Sequence, residues 1–275
     1  MVASKLGFVD KCDMLTLNVR GCDIRYTDAG HGTPIVLLHG FPLDRRVYTD
    51  VAARLSASKR VICPDLPGFG ESRCDRDFTI ASLAEDVRAF IDALELGPVV
   101  LGGLSMGGYV AQAFAKAHPE ALRALILIDT KADADNAEQK LGRLKMIDLV
   151  RSEGSAGVAR AMFPKMLMDE KGESNPIVAA KLKQIMLDCP PKTIERACLA
   201  MKDRDDFNDT LRALAVPGLM IVGRHDAISP LATAEKIADA MPHGTLPVIH
   251  DAGHLAPLEQ PAEVADAIEQ FANIV

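Results

Sequence analysis

The sequence predicts an α/β fold built on a mostly parallel, twisted sheet with helices on its faces. Three features predict it: short unbroken apolar runs, helical patterns that alternate with these runs, and one long stretch without a strand pattern. An apolar run that is too brief for a helix and lacks alternation is typical of a strand buried on both faces, as in parallel sheets. We therefore expect strands and helices in alternation, interrupted once by an insertion.

A different pattern precedes these runs, because apolar and polar residues alternate over positions 14–28. Arg20-Gly21-Cys22-Asp23 interrupts the alternation with a turn signal. Alternation with a period of two indicates half-buried strands, and two such strands around a short turn form an antiparallel hairpin.

Buried strands are predicted at 35–38, 60–63, 99–101, 124–128 and 219–222, with a weaker one at 246–249. Helices are predicted at 82–96, after Ser105 as far as His118, from Pro230 to Met241, and from Pro261 onward. Ser82 and Glu85 have the spacing of a capping box for the first of these helices. Pro119 ends the second, because proline disfavours helical geometry in the residue before it.

The stretch between 130 and 212 is rich in Lys, Asp, Ala and Met, is broken by glycines and prolines, and has no convincing strand pattern. These features predict an all-helical insertion. We therefore divide the chain into a core, residues 1–130 and 212–275, and a helical insertion, residues 131–211.

Charge and hydrophobicity exclude several classes of protein. The chain has 275 residues and a formal net charge of −7, and its longest basic cluster is Asp44-Arg45-Arg46, so it offers no cationic track for nucleic acid. No apolar run approaches the ~18 residues of a membrane span. The apolar stretch at 6–9 is also shorter than the ~7–15 residues of a signal-peptide core. We expect a cytoplasmic protein that binds neither nucleic acid nor a membrane.

The cysteines show no Cys-x-x-Cys and no Cys/His cluster with the spacing of a metal site. They are Cys12, Cys22, Cys63, Cys74, Cys189 and Cys198. We expect reduced, inert thiols, with one regulatory disulfide as the alternative.

The strongest chemical signal is a serine within Gly103-Leu104-Ser105-Met106-Gly107, between a predicted strand and a predicted helix. In that position Gly-x-Ser-x-Gly forms a tight turn that projects the serine hydroxyl above the sheet. Side chains at the two glycines would collide with the neighbouring strand and helix. We therefore predict that Ser105 is a nucleophile.

A serine nucleophile needs a base to take its proton and an acid to orient that base. His254 follows the last strand and Asp226 follows the strand before it, so both are expected at the same carboxyl edge as Ser105. Asp129, at the end of strand 124–128, is an alternative acid. With Asp226 as the acid, the chain order is nucleophile, acid, base, which differs from that of chymotrypsin-like and subtilisin-like enzymes.

A tetrahedral intermediate needs two donors for its oxyanion. The N–H of Met106, directly after the nucleophile, is one candidate, and the N–H of Phe41, which follows Gly40 at the end of a strand, is the other. We expect His39 to hold this loop rather than transfer protons. Asp65 is expected to form a turn in the loop that follows strand 60–63.

Taken together, these motifs resemble those of the α/β-hydrolase superfamily. They are His39-Gly40-Phe41, Pro64-Asp65-Leu66-Pro67-Gly68-Phe69-Gly70, Gly103-Leu104-Ser105-Met106-Gly107-Gly108, Gly223-Arg224-His225-Asp226, Asp251-Ala252-Gly253-His254 and Glu259-Gln260-Pro261. Within the superfamily the chain is similar to small bacterial carboxylesterases and 3-oxoadipate enol-lactonases. The resemblance implies the α/β-hydrolase fold and a helical cap at 131–211.

Other branches of the superfamily fit less well. Haloalkane dehalogenases and epoxide hydrolases use a carboxylate where this chain has Ser105, and the dehalogenases generally use a tryptophan, which this chain lacks. Haloperoxidase-like esterases usually carry a tryptophan beside the oxyanion position, where this chain has Phe41-Pro42. We therefore expect perhydrolysis only as a side activity.

The expected function is that of a serine carboxylesterase that hydrolyses small, short-chain esters without a cofactor or a metal. The expected partner is the small-molecule ester substrate. A lactonase of the enol-lactonase type is the first alternative, and it would need cations to hold a substrate carboxylate. Candidates are Arg143, Lys145, Arg151 and Arg160. A slow, hydrolase-like receptor for a small molecule is the second alternative.

Overall fold

A computed structural model describes residues 14–275. The strands are β1 (Met14–Val19), β2 (Cys22–Ala29), β3 (Pro34–Leu38), β4 (Arg60–Pro64), β5 (Val99–Leu104), β6 (Leu122–Ile128), β7 (Gly218–Gly223), β8 (Gly244–Thr245) and β9 (Val248–Ile249). The helices are α1 (Thr49–Leu55), α2 (Ile80–Ala93), α3 (Met106–Ala117), α4 (Ala137–Met162), α5 (Pro176–Asp188), α6 (Pro191–Lys202), α7 (Asn208–Arg212), α8 (Leu231–Ala240), α9 (Ala256–Glu259) and α10 (Pro261–Ala272).

The strands of this part of the chain form one nine-stranded sheet in the order β1-β2-β4-β3-β5-β6-β7-β8, with β9 also paired to β7. The hairpin β1-β2 and the β2-β4 pair are antiparallel, and the other pairs are parallel. The predicted mostly parallel α/β fold is confirmed. Of the weak strand predicted at 246–249, only β9 (Val248–Ile249) is a strand, and β8 precedes the predicted range. Pro247, between them, has no N–H to donate to a neighbouring strand.

Burial on both faces explains the unbroken apolar runs. In β3, Val36 and Leu38 face the core formed with α2 and α3, whereas Ile35 and Leu37 face the core formed with α1 and α10. Every side chain of β5 is buried as well. A strand covered by helices on both sides needs apolar residues at every position, so the sequence pattern follows from the layering.

The start of α2 differs from the prediction. The helix begins at Ile80, and its capping box pairs Thr79 with Ser82, through hydrogen bonds of 3.0 Å from Ser82 N to Thr79 Oγ1 and 2.9 Å from Thr79 N to Ser82 Oγ. Glu85 instead contacts His118 Nε2 at 2.8 Å. The predicted Ser82/Glu85 box is therefore wrong, because Ser82 is already the third residue of the helix and Thr79 is the N-cap.

Residues 131–211 contain helices and no strand. The longest helix, α4, bends at Gly154, where φ is +64°. This segment contacts the loops at the carboxyl edge of the sheet: Thr193 Oγ1 donates to the carbonyl of Gly68 at 2.8 Å, and Arg196 Nε donates to Asp77 at 2.9 Å. We call residues 131–211 the helical segment, and its role as a cap remains a prediction.

The expectation that all cysteines are reduced is wrong for Cys22 and Cys74, which form a disulfide across 52 residues. Backbone hydrogen bonds in both directions between Asp23 and Arg73, each of 2.9 Å, bring the two cysteines together. Proximity in sequence could not reveal this pairing. The thiols of Cys189 and Cys198 are buried, and burial raises the pKa of Cys198 to about 12. Cys12 lies outside the described residues.

Within residues 14–275, the structure contains no helix with both the length and the apolar character needed to cross a lipid bilayer.

Candidate active site

Ser105 lies between β5 and α3 with φ +51° and ψ −111°. A positive φ is strained for a residue other than glycine, so contacts on both sides must hold it. Its N–H donates to the carbonyl of Ile128 at 2.9 Å, and its carbonyl accepts from Thr130 Oγ1 at 2.7 Å. The backbone turn is thus fixed from the end of β6, and the serine side chain remains partly exposed.

The two glycines of the motif allow backbone segments to touch. A Cβ atom on Gly103 would lie 2.2 Å from the carbonyl oxygen of Gly107, and one on Gly107 would lie 2.3 Å from that of Leu38. Neither distance is possible between real atoms. Glycine at both positions therefore lets α3 start directly against β3 and β5.

His254 meets Ser105 and Asp226 at this edge. Its Nε2 lies 2.9 Å from Ser105 Oγ, and its Nδ1 lies 2.9 Å from Asp226 Oδ2. His254 is 2% exposed and Asp226 is 5% exposed. The structure thus brings together the three side chains that the sequence proposes as nucleophile, base and acid.

The hydrogen bonds of Asp226 fix the proton on His254. Burial opposes ionisation of Asp226, but the charge and hydrogen bond of His254 and the backbone N–H groups of Ser229 and Ile228 outweigh it and lower the pKa of the carboxyl. These amides donate to Oδ1 at 2.8 Å and 2.7 Å. An ionised Asp226 can only accept at Oδ2, so the proton of His254 sits on Nδ1. Nε2 then has a free lone pair for the hydroxyl of Ser105.

Asp129, the alternative acid, has other partners. It is fully buried, and its oxygens accept from the N–H of Gly223 at 2.8 Å and the N–H of Ala256 at 3.2 Å. Burial, followed by the negative charge of Asp226, raises its pKa well above the ordinary value. Asp129 therefore joins the end of β7 to the start of α9 and does not hydrogen-bond His254.

The two proposed oxyanion donors flank Ser105. Met106 is the first residue of α3, and the loop of Phe41 passes close to the serine, because a Cβ on Gly40 would lie 3.2 Å from Ser105 Cβ. In the part of the chain that the structure describes, neither the Phe41 nor the Met106 amide donates a hydrogen bond. Both N–H groups are thus available to a ligand.

His39 and Asp65 hold the loops around these donors. His39 accepts the N–H of Leu66 at Nε2 (3.0 Å) and contacts the carbonyl of Gly40 through Nδ1 at 2.9 Å. It is fully buried, and burial lowers its pKa, so the ring is neutral and carries its proton on Nδ1. Asp65 accepts the N–H groups of Arg45 and Glu71, both at 2.8 Å, and pairs with the Arg45 guanidinium.

Glu259, to which the sequence analysis assigns no role, supports the loop of His254. Its Oε2 accepts the N–H of Gly253 and its Oε1 accepts the N–H of Met168, both at 2.7 Å. Glu259 therefore links the helical segment to the residue next to His254. In the sequence Glu259 is only part of the Glu259-Gln260-Pro261 motif, and no spacing rule predicts a contact with Met168, which lies 91 residues away.

The cations proposed for a lactonase have different surroundings. Arg151 pairs with Glu195, Arg160 pairs with Glu153, and both arginines are mostly exposed. Lys145 is exposed too. Arg143 is 25% exposed and donates from Nε to Asp135 at 3.0 Å. Among residues 14–275, no three His, Cys, Asp or Glu side chains are grouped so that they could hold a metal ion.

Comparisons with known proteins agree with this geometry. A model of the alpha/beta hydrolase family matches residues 35–267. The pimeloyl-[acyl-carrier protein] methyl ester esterase of Neisseria meningitidis is 30% identical over 242 residues, 85% of this chain and 90% of its own. A malate-bound thermophilic esterase from Thermogutta terrifontis is 39% identical, with a TM-score of 0.90 over 95% of this chain and 98% of its own. The enol-lactonase from Burkholderia xenovorans LB400 is 25% identical, with a TM-score of 0.86 over 94% of this chain and 100% of its own.

Proposed function

The chain belongs to the alpha/beta hydrolase family, and we propose that it is a serine carboxylesterase that hydrolyses small, short-chain esters through an acyl-enzyme intermediate. The family and the esterase relatives support hydrolase activity. The observation that carries the finer proposal is the unbroken chain of hydrogen bonds from Ser105 Oγ through His254 to Asp226, 2.9 Å at each step.

In the first half-reaction, Ser105 Oγ attacks the ester carbonyl carbon while His254 Nε2 takes the hydroxyl proton. Asp226 stabilises the imidazolium that forms. The carbonyl oxygen becomes an oxyanion, which the N–H groups of Phe41 and Met106 bind. Collapse of this intermediate breaks the bond to the alcohol oxygen, and the alcohol leaves with the proton from Nε2.

The second half-reaction repeats these steps with water as the nucleophile. His254 Nε2 takes a proton from the water, whose oxygen attacks the acyl carbon, and the same amides bind the second oxyanion. Collapse releases the carboxylic acid and returns the proton to Ser105. Each of these steps uses a group of this chain or water, so the proposal requires no metal and no cofactor.

The contacts of the helical segment support its role as a cap over a small substrate. Thr193 and Met168 bind loops at the carboxyl edge, where Ser105 also lies. An insertion held at both of these places would limit the length of the bound acyl chain. The Thermogutta terrifontis esterase has malate bound, and a ligand of that size suits such a site.

The expected partner is a small-molecule ester, and binding of neither nucleic acid nor a membrane is expected; both statements stay predictions. A cytoplasmic location is also a prediction, and the Cys22–Cys74 disulfide weighs against it, because disulfides are rare in cytoplasmic proteins.

Substitution of Ser105 by alanine tests the proposal. Ser105→Ala should lower kcat for p-nitrophenyl butyrate by about 10⁶-fold, and a fluorophosphonate probe should label the wild type and not the variant. Ser152→Ala is the matched control, because Ser152 is an exposed serine on α4. Retention of more than a tenth of the activity in Ser105→Ala would refute the proposed nucleophile.

A lactonase is the second candidate, favoured by the likeness to the Burkholderia xenovorans enol-lactonase. Its chemistry would use the same side chains, with the alcohol remaining part of the product acid. Specificity constants for a panel of p-nitrophenyl esters and simple lactones separate the two. Fast turnover of any member of the panel also rules out a slow receptor.

A further inference from the structure

The backbone of Lys131 is held next to Thr130, a residue that contacts the proposed nucleophile. Lys131 follows Thr130, whose hydroxyl holds the carbonyl of Ser105 at 2.7 Å. Gln112 Nε2, from α3, donates to the carbonyl of Lys131 at 2.9 Å, and the N–H of Phe207 donates to the carbonyl of the next residue, Ala132, also at 2.9 Å. The backbone at this lysine is therefore held by α3 of the core and by Phe207 of the helical segment.

The ammonium group of Lys131 has no counter-ion. Its side chain is half-buried, yet among residues 14–275 Nζ forms neither a hydrogen bond nor an ion pair. Taking an ammonium group out of water is costly unless an acceptor replaces the lost hydration. An anionic ligand at Lys131 would supply the acceptor that the described residues do not.

The surroundings of Lys131 add further positive charge. Arg143 and Arg204 both bind the same carboxylate, Asp135, so two cations share one anion. Arg204 also stacks on Tyr109, one turn beyond Ser105, with its guanidinium carbon 4.1 Å from the ring centroid. Only Nε of Arg143 is used within the described residues, which leaves its two terminal nitrogens available.

The electrostatic influence of these groups reaches the proposed catalytic side chains. Burial, then the charges of Arg204 and Arg143, lowers the pKa of Lys131, and the charge of Asp226 raises it. Lys131 is thus close enough to Asp226 for the two charges to interact. A negative substrate group at the site would be repelled by Asp226 and needs a cation such as Lys131 to balance that repulsion.

We propose that Lys131, with the terminal nitrogens of Arg143, binds a carboxylate on the substrate, so that the preferred esters carry a free carboxylate group in addition to the ester bond. This inference rests on the proposed function and specifies its substrate class. The carboxylate belongs either to the acyl part, as in a monoester of a dicarboxylic acid, or to the alcohol part, as in an acylated hydroxy acid. Both place the same anion beside the same ester group.

Two pairs of esters test the proposal and separate the two sources. Monomethyl glutarate is compared with methyl pentanoate for the acyl part, and acetoxyacetate is compared with ethyl acetate for the alcohol part. In each pair a methyl group replaces the carboxylate. The measurement is the ratio of kcat/KM for the charged ester to that for the neutral one, and the pair with the higher ratio identifies the source.

Three variants are compared with the wild type. Lys131→Met should lower this ratio about 10- to 100-fold, mainly through KM, because it removes one partner of a partly buried charge pair. Lys131→Arg should restore most of the ratio, because it restores the charge. Lys140→Met is the control, since Lys140 is an exposed lysine on α4 and its loss should leave the ratio unchanged. Thermal unfolding shows whether each variant is folded.

A ratio that is the same in Lys131→Met and in the wild type would overturn the proposal, and so would an equal fall in Lys140→Met. Absence of turnover of all four esters by the wild type would instead count against the proposed esterase. In that case the calorimetric affinity of glutarate for the wild type and for Lys131→Met decides: weaker binding by the variant supports the carboxylate site, and equal or absent binding refutes it.

Discussion

Asp226→Asn separates the orienting role of this carboxylate from its charge. Oδ1 accepts two backbone N–H groups, from Ile228 and Ser229, and Oδ2 faces His254 Nδ1 at 2.9 Å. An asparagine therefore places its oxygen at Oδ1, because the opposite orientation would set its NH₂ group against two donors. The NH₂ group then faces Nδ1 of His254.

The consequence is a change of tautomer. Facing a donor, Nδ1 must become an acceptor, so the ring proton moves to Nε2, which points at Ser105 Oγ. A protonated Nε2 cannot take the serine proton. The corresponding substitution in a serine protease lowers kcat about 10⁴-fold, which corresponds to about 5.5 kcal/mol in the activation free energy. The fold should lose only about 1 kcal/mol, since every hydrogen bond keeps a partner.

The assay is kcat with p-nitrophenyl butyrate together with the melting temperature, and Asp129→Asn is the matched control. Both oxygens of Asp129 accept amides, so asparagine must leave one N–H facing a donor. We expect that variant to lose about 1–3 kcal/mol of stability and far less activity. A loss below tenfold in Asp226→Asn, or the 10⁴-fold loss in Asp129→Asn instead, would refute the assignment of the acid.

Three further predictions concern the supports of the site and its size. Gly107→Ala should fail to fold or should have a much lower melting temperature, because the added Cβ would lie 2.3 Å from the carbonyl oxygen of Leu38. Gly142→Ala is the control: its Cβ would have no atom within 4 Å, so its melting temperature should be unchanged or higher. Glu259→Gln should lower the urea midpoint, since one of its two amides loses its acceptor. Burial raises the pKa of Glu259, so the folded chain binds this proton at higher pH than the unfolded chain does. The free energy of unfolding of the wild type, relative to that of Glu259→Gln, should therefore grow as pH falls through the raised pKa towards ~4.3. A difference between the two proteins that stays constant over this pH range would contradict the prediction. Specificity constants for p-nitrophenyl esters should rise from acetate, each added methylene lowering the activation free energy by up to ~0.8 kcal/mol, and should fall beyond roughly six carbons. A steady rise to palmitate would point to a lipase.

The sequence predicts those parts of the fold that depend on local patterns. Apolar runs without alternation give the buried strands β3 to β7, because burial on both faces constrains every position. The elbow at Ser105 is equally local, since the chemistry and the two glycines lie within five residues. Chain order and the carboxyl-edge rule then place His254 and Asp226 near it.

What the sequence misses depends on contacts between distant residues. The Cys22–Cys74 disulfide joins positions 52 residues apart, and the bond from Glu259 to Met168 spans 91. The capping box at α2 shows the same limit over a shorter distance. Ser82 and Glu85 fit the spacing rule, whereas the box in the structure pairs Thr79 with Ser82, a serine where the rule expects Glu or Gln.

The four buried or half-buried carboxylates around the site show how structural and chemical roles can be told apart. Asp65, Asp129 and Glu259 each accept two backbone N–H groups from loops at the carboxyl edge, where irregular backbone leaves amides without partners. Burial raises the pKa of all three. The pKa of Asp226 is lowered instead, because the charge and hydrogen bond of His254 add to those of two amides. A perturbed pKa alone therefore does not identify the acid of this site. The direction of the shift and the contact with the His254 imidazole support Asp226 as the proposed acid.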